Sequence, residues 1–475
     1  MTHAHDTALV WFRRDLRLAD NPALTHALSE ARNVIPVFIH APEEEAPWAP
    51  GAASLWWLHH SLEALSKDIS KLGGRLILRQ GASLKTLQQL IKETGATLVC
   101  WNRVYEPACI ARDTEIKSAL KAQDIECSSH NAALLFEPWQ VRTQQDKPFR
   151  VFTPFWRHCQ TRMSEQPLPL VTPDSLPSVK KTLASDDLSA LDLLPRIHWD
   201  DGLRSHWQVG EARAHARLQR FIDEAAADYG TERNRPDKSG TSCMGPYLHF
   251  GEISPRQIVT ALQDQQISAE GYVRELGWRE FSYHLLYHFP HTTNAPLDTR
   301  FEKFPWDNNA TTLKAWQRGL TGIPLVDAGM RELWHTGWMH NRVRMVVASF
   351  LTKNLRIHWL EGARWFWDTL VDADLANNTQ GWQWTAGCGA DAAPFFRIFN
   401  PTLQAERFDP DYKYIRRWLP ELARLPDKWI TQPWAAPDIE LSKAGVQLGR
   451  DYPMPIAELG TSRDAALEAY KEIKL

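Results

Sequence analysis

The sequence predicts two kinds of domain in one chain: an α/β N-terminal domain on a parallel, Rossmann-like sheet, then an all-α C-terminal domain. Three observations carry this. Short apolar runs alternate with amphipathic stretches over the first 130 residues. Eight prolines then fall between Pro138 and Pro195. From about residue 205 onward helical periodicity dominates and strand signals are few.

Residues 7–12, 34–40, 75–78 and 97–101 are short, rich in β-branched side chains and mostly uncharged, as buried parallel strands are. Between them, 22–31 and 54–72 have helical periodicity. Such a sheet places a ligand outside the carboxyl ends of its strands. No GxGxxG or GxxxxGK[ST] follows the first strand, which speaks against an ordinary dinucleotide or P-loop site. Residues 131–204 read as a connector lying over the surface, with one ordered-looking block at 149–157. Within 205–475 helices are expected at 210–227, 271–288, 312–318, 326–335, 341–355 and 362–371. No internal repeat or low-complexity tract is present.

The chain's 475 residues allow two or three domains. Six scattered cysteines form no CxxC pair, so neither a disulfide framework nor a zinc or iron–sulfur site is expected, and no metal. No run of 18 apolar residues and no basic, then apolar, N-terminal segment occurs; no membrane partner and a cytoplasmic location are expected. The net charge of −3 argues weakly against nucleic acid, yet residues 341–360 hold Arg342, Arg344, Lys353 and Arg356 without a carboxylate. The 22 tryptophans are unusual: they suit core packing, stacking on flat rings, or electron transfer between indoles.

Two segments could carry chemistry. On a helix starting at Asn341, that residue shares a face with Arg344 and Met345, while Arg342 points about a quarter turn away. A solvated amphipathic helix explains the same spacing. Further on, Asp374, Asn378 and Trp382 are four apart, and Asp372 lies two before Asp374. A carboxylate with a carboxamide can read the donor and acceptor edge of a heterocycle, and a polar surface turn explains the pattern equally. At 239–243 small hydroxyl residues could present N–H groups to phosphate, or simply cap a helix.

The strings WMHNRVRM (338–345), DADLANN (372–378), GWQW (381–384), DAAPFFRIFNP (391–401) and VWFRRDLRL (10–18) together resemble the photolyase/cryptochrome family, in order and spacing. The resemblance implies an antenna-chromophore domain at 1–130, a connector at 131–204 and a FAD- and lesion-binding domain at 205–475. It puts Tyr229, Thr241 and Ser242 near the FAD pyrophosphate and ribityl chain, and Arg279 in a flavin-contact helix. It pairs Asp372 with Arg344 beside the flavin, sets Asp374 at the isoalloxazine edge and Asn378 next to N5. It makes Trp278 and Trp384 indole walls for a flipped lesion, with Glu275, Asn341 and Met345 as lesion contacts. Arg233, Arg342 and Arg397 fall near the DNA backbone, with Asn400 in the same group. Trp382, Trp359 and Trp306 match a chain that reduces the flavin under light.

Within the family, enzymes for (6-4) photoproducts carry a histidine pair where this chain has Asn341 and Met345. Cryptochromes often place Asp or Cys at the position of Asn378, and many carry long tails, whereas this chain stops at Leu475. The expected activity is therefore light-dependent repair of cyclobutane pyrimidine dimers in UV-damaged DNA by a monomer. Electron transfer from excited, reduced FAD to the flipped-out dimer would drive it, with Glu275, Asn341, Met345 and Asn378 at the reacting centre. The alternatives are a blue-light-sensing cryptochrome and an electron-transfer flavoprotein that ignores DNA. For a second chromophore, methenyltetrahydrofolate stands ahead of a deazaflavin or none. The segments at Ala108-Cys109 and 291–295 depart from the pattern of folate-binding members. Trp56, Trp57 and the run 102–107 either line a differently built folate pocket or pack the domain.

Overall fold

The computed structural model describes residues 3–177, 183–267 and 269–474. Its one sheet has five strands in the order β3-β2-β1-β4-β5, with β1 His5–Phe12, β2 Ala31–His40, β3 Ile77–Gln80, β4 Leu98–Asn102 and β5 Glu126–His130. Every pairing is parallel, for instance Leu9 opposite Ile35 on one side and Val99 on the other. β5 escapes the apolar pattern because it is an edge strand, where Glu126, Ser128, Ser129 and His130 can stand in partial contact with water. The helices Ser83–Thr94 and Pro107–Lys121 were also absent from the sequence expectation.

The period-2 alternation of the strands sorts the core. Leu9, Trp11, Ile35, Val37 and Val99 pack on one face with Leu87, Leu90 and Ile116 of those two helices. Ala8, Val10, Phe12, Val34 and Cys100 face the other way, into a core that continues through the helix Ala52–Lys71, the connector and helix Glu270–His288. The α/β and helical parts thus share one apolar core. A second core, around Trp316, Trp359 and Trp382, is built by the helical part, with Trp48 of the N-terminal part packed into it.

Trp56 and Trp57 sit inside the shared core, at 2% and 0% exposure. Their indole N–H groups donate to Asp200 (3.0 Å) and Glu252 (3.1 Å). They pack the domain and do not line a folate pocket. The run 102–107 divides: the Arg103 guanidinium and the Tyr105 hydroxyl both donate to Glu137 of the connector, whereas Val104, Glu106 and Pro107 line the clefts beside Arg14 and Cys109.

Two helical expectations change on folding. The helix from Asn341 is α-helical only to Ser349, then widens into a π-turn over Phe350–Asn354. The stretch that could have been a polar turn is the helix Leu375–Ala386, with Asp374 as its N-cap. Asn, Thr and Gly are poor helix formers, so tertiary burial overrides propensity there. Ser254 is a plain capping box with Gln257. Among the described residues no helix is long and apolar enough to cross a membrane, and no group of three or more His, Cys, Asp or Glu could hold a metal.

Candidate active site

Four helices and one loop surround a cavity of about 440 Å³ in the helical part. Helix Glu270–His288 contributes Glu275, Trp278 and Arg279 to its wall. The next turn of the same face places Ser282 there, as helical spacing requires. Helix Asn341–Ser349 contributes Asn341, Arg344 and Met345, the face read from their spacing. Helix Trp359–Thr369 adds Phe366, and the loop behind it adds Asp372. Helix Leu375–Ala386 and its cap bring Asp374, Asn378, Trp382 and Trp384, and Arg233 stands at the rim.

The remaining sequence-predicted residues lie outside this wall. Thr241 and Ser242 belong to a loop that passes directly behind Asp372. A Cβ at Gly245 would fall 2.6 Å from an Asp372 oxygen, so the close approach depends on glycine. Ser242 Oγ accepts from the Tyr272 hydroxyl at 3.1 Å. Tyr229 is buried beneath the Arg233 guanidinium, 5.2 Å from its ring centroid. Arg342 donates to the Asn234 side chain at 2.5 Å and lies over Phe408. Arg397 is exposed, and its carbonyl accepts from the buried Lys353 ammonium at 3.1 Å. The Asn400 carboxamide oxygen caps the helix Pro401–Phe408.

Charge in the cavity is arranged in fixed pairs. Arg344 Nη2 donates to both Asp372 oxygens (2.9 and 3.1 Å) while its Nε donates to the Met339 carbonyl. At the mouth Arg233 donates to Glu275 at 2.5 Å. Burial works to raise the Asp374 carboxyl pKa. It is outweighed by His249 at 3.5 Å, the Arg279 guanidinium and the Tyr283 hydroxyl, so the group is held well below the usual carboxylate range. Asp374 also accepts from Asn377, leaving a fully oriented anion at the cavity wall. The Asn378 amide group donates to the Ala363 carbonyl at 2.9 Å, which orients its carboxamide. His249 and Tyr283 were invisible to sequence reasoning, since neither lies in a polar motif. The same holds for Glu280, a buried carboxyl pushed up to about 7 by burial, which accepts from the Leu135 and Phe136 amides and ties the connector to this helix.

The tryptophans separate by burial. Trp382 lines the cavity and packs edge-on to Phe366 (5.0 Å) and Trp316 (6.1 Å). Trp359 is buried and Trp306 half-buried, with the His358 ring between them at 5.7 and 5.0 Å.

A cavity of this size, with an oriented carboxylate, an oriented carboxamide, a guanidinium–carboxylate pair and indole walls, suits a flat heteroaromatic ring with a hydrogen-bonding edge. A flavin is such a ring, and the residues present fit it. A parallel α/β sheet joined to a helical part with such a cavity has the architecture of a two-part flavoprotein. Residues 8–174 match the family described as DNA photolyase, and residues 272–472 match the FAD binding domain of DNA photolyase. The chain is 47% identical to the deoxyribodipyrimidine photo-lyase of Agrobacterium fabrum, over 98% of each protein. It is 39% identical to cryptochrome-1 of Arabidopsis thaliana, over 98% of this chain and 70% of that protein. The chain therefore belongs to the DNA photolyase/cryptochrome family, and its helical part is the family's FAD-binding domain. Among solved structures it resembles a bacterial class III photolyase from Agrobacterium tumefaciens, with TM-score 0.95, 45% identity and coverage of 100% and 99%. It also resembles an archaeal photolyase from Sulfolobus tokodaii that holds two FAD molecules, with TM-score 0.83, 31% identity and coverage of 98% and 100%.

Proposed function

We propose that this protein repairs cyclobutane pyrimidine dimers in UV-damaged DNA under blue light. The chemistry supplied when reduced FAD is bound is one-electron photochemistry: an electron passes to the dimer and returns once the ring has opened. The chain's own residues bind, orient and exclude water. Asp374, Asn378 and the Arg344–Asp372 pair would hold the flavin edge, Arg279 its flank, and the loop of Thr241 and Ser242 with Tyr229 the rest of the cofactor. Trp278 and Trp384 offer apolar walls to a pyrimidine dimer taken out of the duplex, as enzymes that flip their target bases require, photolyases among them. Glu275 can accept from a thymine imide N–H, and Asn341 and Met345 complete the wall. Arg233, Arg342, Arg397 and Asn400 would face the DNA backbone, where arginine's fork suits phosphate. Trp382, Trp359 and Trp306 form the proposed relay for light-driven flavin reduction.

The observation that carries this reading is that Glu275, Trp278, Asn341, Met345, Asn378 and Trp384, scattered over 110 positions of sequence, line one cavity. Ring opening needs no general acid or base, and Asn341 and Met345 supply none. In this reading residues 1–130 form the antenna domain, 131–204 the connector and 205–475 the catalytic domain. We place a second chromophore in the cleft between the carboxyl ends of β1 and β2 and the helical part, beside Arg14, Glu45, Cys109 and Trp367. Methenyltetrahydrofolate stands ahead of a deazaflavin; extraction and absorbance of the purified protein decide between them.

A second reading, a blue-light receptor, is favoured by the identity to a plant cryptochrome. One experiment separates them. Illuminated, reduced protein should restore intact thymines in a dimer-containing oligonucleotide. Absence of repair with flavin photoreduction intact would sink the enzyme reading.

A further inference from the structure

The ordered block of the connector, residues 149–157, has had no part in the site so far. In the structure the Phe152 ring lies flat on the Trp278 indole, with centroids 3.7 Å and planes 8° apart. Trp278 is half-buried at the cavity wall, whereas Phe152 is 1% exposed. Behind Phe152 lies Trp156, its ring nearly parallel at 6.4 Å and 9°. Trp156 in turn covers Gly277, where a Cβ would fall 2.5 Å from the indole, so the helix bearing Trp278 can sit this close only with glycine there. The Phe152 amide donates to Asp391 Oδ2 at 3.1 Å. Asp391 lies in the loop after helix Leu375–Ala386, and that loop returns to the helix through Ala393 N–H donating to the Trp384 carbonyl. One ring stack therefore meets the first indole wall, and one backbone bond leads to the second.

We propose that the connector helix Phe152–Thr161 is part of the lesion site: Phe152 is a positioning residue that fixes the plane of Trp278, and its bond to Asp391 sets the spacing between the Trp278 and Trp384 walls. The inference rests on the reading of this cavity as a lesion pocket. A wall held flat in advance loses less freedom when a flipped dimer enters, so the gain is in binding of damaged DNA alone. A stacked aromatic pair shifts an equilibrium by roughly two- to tenfold.

The test measures dissociation constants of the FAD-loaded full chain for a dimer-containing oligonucleotide and its undamaged counterpart. Phe152→Leu stays apolar but removes the flat ring; Phe152→Tyr keeps the ring; Asp391→Gly keeps the left-handed backbone (φ 48°) and removes the acceptor. Phe152→Leu should weaken damaged-DNA binding by roughly three- to tenfold and leave undamaged binding and FAD content unchanged, with rescue by Phe152→Tyr. Asp391→Gly should move the ratio the same way by less, and it decides the matter if Phe152→Leu does not fold. A wild-type ratio in the folded variants, or an equal loss on both DNAs, overturns the inference. If wild-type protein itself fails to discriminate, the lesion-pocket reading falls first.

Discussion

The tightest fit around the proposed relay is at Gly362, and it makes the sharpest prediction. This residue lies in helix Trp359–Thr369, and a Cβ there would fall 2.1 Å from the outermost carbon of the Trp382 ring. The lower limit of ordinary contact is 3.4 Å, so Gly362→Ala must displace the indole or the helix by about 1.3 Å, the difference between the two. Overpacking of this kind costs ~1–3 kcal/mol. Alanine's better helix propensity returns about 1 kcal/mol, leaving a net loss of ~0–2 kcal/mol. The fold should therefore survive while Trp382 moves relative to the cavity it lines. The assay is light-driven reduction of bound FAD in the presence of a thiol, followed at the flavin absorbance band, with denaturant unfolding in parallel. Gly362→Ala should retain FAD, lose little stability and be reduced more slowly than wild type. Wild-type photoreduction with wild-type stability would refute the claim that the indole is locked by this glycine.

Three further outcomes are expected. Trp382→Phe should slow light-driven FAD reduction yet leave repair by chemically reduced enzyme intact; equal photoreduction rates would remove Trp382 from the relay. Asn378→Asp should change which flavin redox state persists under light, read from absorbance spectra, and unchanged spectra would count against its place at the flavin. Glu252 is completely buried and burial lifts its carboxyl from 4.5 to about 8. The folded state keeps this proton longer than the unfolded chain does, so its contribution is full below pH 4.5 and lost as pH rises towards 8. That span is worth on the order of 5 kcal/mol at most. Glu252→Gln should flatten the decline of unfolding free energy between pH 5 and 8, and an unaltered slope would show that Glu252 does not cause it.

Much of this protein was legible in its sequence because its signals are local. The buried strands β1, β2 and β4 announce themselves by apolar runs that few other elements mimic. The face shared by Asn341, Arg344 and Met345 follows from helical geometry alone. The resemblance then added what spacing left open, above all the helix Leu375–Ala386, whose letters also fit a surface turn.

What only the tertiary structure decided is non-local. His249 and Tyr283, distant in sequence, converge on Asp374, and together with Arg279 they outweigh the burial that would otherwise neutralise it. Trp56 and Trp57, available on paper to line a pocket, lie in the shared core, where Asp200 and Glu252 accept from their indole N–H groups. Phe152 becomes a neighbour of Trp278 only when the connector folds back over the helical domain. The sequence by itself determined the buried strands β1, β2 and β4 and the inward face of the helix from Asn341. Their packing against one another decided which side chains meet, since proton affinity and ring contact depend on distances through space that no local pattern encodes.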